Sequence, residues 1–190
     1  MTKPALNTNG DTLDRANAAW VLILGIVGLG GSLIISCVTP FVALAVALAG
    51  TVRLGRAIKA LLAIWAINQC IGFVFLHFPL TAFTLLWGAA LGVASILTTT
   101  VAAVVLGRSA PLPALVRLVL AFLLAFCVFE LGLAIVASFV GGLETFSPRV
   151  VAQVGFSNLV WFAAIVALNE LTRMAGKPLI GPMPRLLKAS

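Results

Sequence analysis

The sequence predicts an all-α, polytopic bundle of transmembrane helices, and three observations carry that expectation. Hydrophobic residues make up 62% of the 190 and charged residues only 9%, with a mean hydropathy of +1.20. So few charges could not keep a water-facing surface solvated. The apolar runs are also long and unbroken, and backbone in hydrocarbon must satisfy its own hydrogen bonds, which selects helices; the alternating segments of about ten residues that mark a barrel are absent. Finally, the twelve Lys and Arg fall almost wholly at run ends and in the tails, as topology determinants do.

Residues 1–17 are polar, with Lys3, Asp11, Asp14 and Arg15, and read as a short cytoplasmic tail. Apolar sequence then runs from Ala18 to Val52. At helical rise that is about 50 Å, against about 30 Å for one crossing. Pro40 removes a backbone donor and pushes Thr39 away from helix. We therefore expect two spans, 18–37 and 40–57, joined by a tight turn at Thr39-Pro40. One kinked span, five in all, is the alternative. Ile34-Ile35-Ser36-Cys37 loosely fits a lipoprotein cleavage box. The sequence after it stays apolar, however, so the segment reads as a span and not as a leader.

The remaining spans are expected at 57–78, 82–106, 113–140 and 150–171, each bounded by Pro, Gly or basic residues. They complete one transmembrane domain over 18–171, followed by a basic tail, 172–190. Arg53, Arg56 and Lys59 mark one end; the loop 77–81 has no Lys or Arg; Arg108 and Arg117 mark the next; Arg149 stands against Glu144; four basic residues follow from Arg173. Rich and poor ends alternate, so the positive-inside rule expects both termini to be cytoplasmic in a cell (inner) membrane.

Polar residues inside the spans are then skewed outward. Trp65, Asn68, Gln69 and Gly72 share one helical face, and Trp87, Glu130, Gln153 and Asn158 lie in the outer halves of later spans. Such groups cost several kcal/mol against lipid unless partnered, and they tend to mark a site or pathway. Trp65, Asn68, Gln69, Trp87, Glu130 and Asn158 are the candidate ligand contacts. Asn68 and Gln69 could instead bond neighbouring helices, and Glu130 could bond an amide such as Asn68 or pair with Arg149. Cys37 and His77 are candidate metal ligands, or else a small apolar filler and an interface residue. Gly88-x-x-x-Gly92 and the alanines that include Ala45 and Ala49 form small-residue faces for close packing, within the chain or against a partner subunit.

Several functions are disfavoured. No basic patch alternates with aromatics, so nucleic acid is not expected as a partner despite the net charge of +7. Cys37, Cys70 and Cys127 have no disulfide or zinc spacing. No nucleotide loop, Ser/His/Asp set, HExxH or carboxylate pair is present, and no cofactor is indicated.

In architecture, the chain resembles the S components of energy-coupling-factor vitamin and metal importers. The residues that carry the resemblance are Ala45-x-x-x-Ala49, the outward-skewed Trp65, Asn68, Gln69 and Glu130, and the basic cytoplasmic end. The resemblance implies a six-helix, non-catalytic transport subunit that binds a small ligand from the outer side. A separate subunit would supply energy, docking on the alanine face, which here falls in the second span and not the first. A corrinoid-like vitamin or a transition metal held by Cys37 and His77 would be the ligand so implied. A scaffold subunit of a membrane complex, and an enzyme or redox accessory using Cys37 or Glu130, are the alternatives.

Overall fold

The computed structural model describes residues 18–19, 21–26, 39–109 and 111–174. The polar stretch 1–17, Cys37, most of the expected span 18–37 and the tail beyond Met174 lie outside them. The described chain is helical: α1 (Phe41–Thr51), α2 (Leu54–Cys70) running on into a π-helical turn (Ile71–Phe75), α3 (Ala82–Arg108), α4 (Ala114–Val140), a 3-10 turn (Leu143–Phe146) and α5 (Pro148–Met174). Residues 21–26 form a further helical stretch. Four helices, over Leu54–Phe75, Ala82–Arg108, Ala114–Val140 and Pro148–Leu171, are long and apolar enough to cross a membrane. Their outer faces carry exposed large side chains such as Leu85, Leu97, Leu123, Leu131, Phe139 and Leu159. Those positions are at home in lipid, not in water.

The second expected span is corrected. In place of 40–57 stands α1, only 11 residues long, or about half the depth of a bilayer core. Gly50, Thr51 and the two arginines that follow explain the early stop: glycine and a β-branched residue support helix poorly, and Arg53 and Arg56 need water. Val52 and Arg53 are extended, and α2 begins at Leu54, so the third expected span starts earlier than 57 and its helix ends at Phe75. The last three spans agree with expectation to within a few residues. Thr81 caps α3 by accepting from the Thr84 amide. Gly141 and Gly142, at φ of 100° and 99°, end α4 in a backbone conformation that other residues seldom adopt.

α1 is the centre of the molecule. Every residue from Phe41 to Leu48 is buried, enclosed by α2, α3, α4 and α5. Its sequence, FVALAVALAGT, is apolar on all sides, as a helix surrounded by protein must be. Ala43, Ala45 and Ala47 let the neighbouring backbones come close. The small-residue face that includes Ala45 is therefore used up within the chain, and Ala49 is packed against the same core.

Gly88 and Gly92 are consumed in the same way. The Trp65 indole of α2 lies over Gly92, where an added Cβ would come within 3.0 Å of it, and its Nε1 donates to the Gly88 carbonyl at 2.9 Å. Gln69 packs on Gly88, its Oε1 2.7 Å from where a Cβ would stand. Overpacking a fitted contact of this kind costs about 1–3 kcal/mol. Gly92→Val should therefore lower the unfolding midpoint in detergent by several degrees, and pairing it with Trp65→Leu should restore part of the loss. Strictly additive losses in that double-mutant cycle would deny the contact.

Candidate functional site

α1 begins inside the bundle, so the polar groups of its first turn must be satisfied there. Phe41 N–H donates to the Thr39 carbonyl (2.8 Å) and Leu44 N–H to the Pro40 carbonyl (3.0 Å). Val42 and Ala43 N–H both donate to Asn158 Oδ1, at 3.1 and 3.2 Å. Asn158, fully buried on α5, also donates from Nδ2 to the Val154 carbonyl (3.0 Å). A side chain from the far end of the sequence thus caps the central helix. The non-helical Thr39-Pro40 step is tolerated because it is buried in protein and not in lipid.

Above that capped end lies a cavity of about 240 Å³. Thr39 and Phe41 form its floor with Asn158; Asn68, Leu91, Phe129, Glu130, Leu133 and Val154 are among its walls; Thr145 and Phe146 of the 3-10 turn close over it. Thr39 Oγ1 donates to Asn68 Oδ1 at 2.6 Å, tying α2 to the start of α1. Phe41 and Phe129 stand with ring centroids 6.4 Å apart. Trp87 stacks on Phe146 at 6.4 Å and so braces the covering turn from outside the cavity.

The structure thus brings three of the six candidate ligand contacts, Asn68, Glu130 and Asn158, to one cavity. Trp65 and Gln69 are committed to the glycines of α3, and Trp87 acts through Phe146. These three do not line it, because the amphipathic face of α2 turns partly toward α3. Glu130 is neither bonded to Asn68 nor paired with Arg149; its carboxyl makes no hydrogen bond or ion pair among the described residues. His77 stands on the exposed loop after α2 at a φ of 54°, its Nδ1 donating to the Phe75 carbonyl at 3.0 Å. No group of three or more His, Cys, Asp or Glu that could hold a metal is found among the described residues, and Cys37, the other candidate metal ligand, lies outside them. Cys127 shares a helix with Glu130 but is exposed on its outer side.

Sequence reasoning missed Thr39, Phe41, Phe129 and Phe146 as site residues. Thr39 carried a signal, as the polar member of the only break in a long apolar run. The phenylalanines carried none, since on an apolar helix nothing separates a cavity-facing ring from a lipid-facing one.

The cavity draws on the C-terminal half of α2, the N-terminal third of α3, the C-terminal half of α4 and the N-terminal half of α5. It therefore sits at the end of the bundle carrying loops 76–81 and 141–147. Arg53, Arg56, Lys59, Arg108 and Arg117 stand at the opposite end, with only Arg149 of the described basic residues on the cavity side. Of the deep hydroxyls toward the basic end, Ser95, Thr99 and Thr100 donate to the carbonyls of Leu91, Ser95 and Ile96, while the buried Thr98 Oγ1 has no hydrogen-bond partner among the described residues.

Lengths, apolar outer faces and an off-centre cavity at one end are the features of an all-helical, multi-pass membrane protein. A scan against protein-family models and searches of curated proteins and of solved structures return no match to this chain.

Proposed function

We propose that this protein is a membrane-embedded binding subunit that takes a small ligand from the outer side of the inner membrane. The observation that carries the reading is the cavity itself. Polar groups converge on it from α2, α4 and α5, beneath a short covering turn and over the capped end of a buried half-helix. Largely apolar walls with a few placed polar groups are the usual composition of a small-molecule site. The positive-inside rule supports an outward-facing cavity, because the basic residues crowd the other end. Residues 18, 21 and 22 stand beside Val52, Arg56 and Lys59, which supports an N-terminal segment that starts on that same cytoplasmic side. With a further segment over 18–37, the chain would hold six apolar segments, the second of half length, and both termini inside.

A transport role follows from the same outward cavity and from the likeness to S components of vitamin and metal importers. A separate subunit would then supply energy, the chain having no nucleotide loop. The cavity volume falls below the roughly 300–1,000 Å³ of pockets for drug-sized ligands. That size argues for a compact ligand and against a whole corrinoid.

Val154→Trp provides the test, because it fills the cavity from one wall. Native mass spectrometry of protein extracted directly from membranes should detect a small molecule on the wild type and none on the variant. Identical spectra, with both chains bare or both loaded, would sink the binding role and favour a scaffold subunit.

A further inference from the structure

We infer that the occupant is a small organic ammonium with a compact aromatic or branched apolar body; this inference rests on the binding role proposed above and gives it a substrate class. Among the described residues Glu130 is the only charged side chain lining the cavity, and no Lys, Arg or His of theirs lines it. Its carboxyl has no hydrogen-bond or ion-pair partner among the described residues. A carboxylate held among largely apolar walls with no counter-charge is costly, and the cost is removed when the carboxyl takes a proton or meets a cation; a ligand ammonium supplies the cation.

The competing classes fail on the same geometry. An anion would meet Glu130 and find no side-chain cation among the described lining residues. The positive end of α1 offers it nothing either, because the Val42 and Ala43 N–H groups are spent on Asn158 and the next on Pro40. A neutral ligand would bring no counter-charge and would require the carboxyl to stay protonated beneath it. The ammonium is also matched by the rest of the lining. Phe41, Phe129 and Phe146 present aromatic rings, which attract cations and accommodate an apolar body. Asn68, with Oδ1 occupied by Thr39, keeps amide hydrogens that could bond a hydroxyl or carbonyl on the ligand.

Three probes of nearly equal size separate the classes: phenethylammonium, 3-phenylpropionamide and 3-phenylpropionate, titrated into the purified full chain in lipid nanodiscs. The ammonium should bind saturably, at least tenfold tighter than the other two, and both Glu130→Gln and Val154→Trp should weaken it at least tenfold. Comparing the probes on the wild type needs no variant, so a poorly folding Glu130→Gln leaves the result intact. If the amide or the carboxylate binds as tightly as the ammonium and Val154→Trp still abolishes it, the ammonium class is overturned while the binding role stands. Ammonium binding that ignores Val154→Trp overturns both, because the site would then lie elsewhere. No saturable binding by any probe up to millimolar concentration overturns the class.

Discussion

Asn158→Leu should unfold the protein or leave it barely folded, although it replaces a polar side chain by an apolar one inside an apolar bundle. The reason is that Asn158 Oδ1 is the acceptor for two backbone N–H groups of α1. Leucine would leave both donors buried without their acceptor, at about 1–3 kcal/mol each. A loss of about 2–6 kcal/mol is comparable with the whole stability of many domains. For a chain of this size it corresponds to a fall in unfolding midpoint of roughly 4–24 °C. Asn158→Asp keeps an acceptor facing the positive end of α1 and should fall between the wild type and Asn158→Leu. Detergent-solubilised thermal unfolding reads all three. A leucine variant as stable as the wild type would mean that the start of α1 is satisfied in some other way.

Ala45→Leu should be nearly as damaging, and Ala49→Leu much less so. Both alanines are candidates, by sequence, for a face that receives a partner subunit, yet they stand in different surroundings. Ala45 has no exposed surface and four helices around it. Adding three carbons there forces the neighbours apart, costing about 1–3 kcal/mol and more where all sides are rigid. Ala49, one turn further on, is only partly buried near the end of the helix and has room to give. Size-exclusion profiles and unfolding midpoints of the isolated chain, with no other subunit present, decide the matter. If Ala45→Leu folds normally alone and fails only to join a complex, the alanine face serves a partner after all.

Half of the candidate site is legible in the sequence. Glu130, Asn68 and Asn158 stand out because each is a polar group in a run where lipid would penalise it, and all three reach the cavity. Trp65 and Gln69 stand out for the same reason but are absorbed by Gly88 and Gly92. Spacing along α2 says only that Trp65, Asn68 and Gln69 share a side of the helix. Which neighbour meets each part of that side depends on how α3 leans, and no local pattern records it. Nor can the split between α1 and the expected 40–57 span be read from hydropathy, since a half-helix inside protein and a full helix in lipid are equally apolar.

Solvent, helical class and the ends of three long helices all follow from the order of the residues alone. They depend on composition, run length and local breakers, which act through backbone hydrogen bonding and the cost of charge in hydrocarbon. It took the packed bundle to make residues 41–51 a buried core helix, to bring Asn158 to its end, and to open Glu130 onto a cavity instead of a neighbour. Those outcomes join residues more than a hundred positions apart, such as Val42 and Asn158. A buried donor is satisfied by whatever acceptor packing brings within reach, and that is a property of the assembled helices.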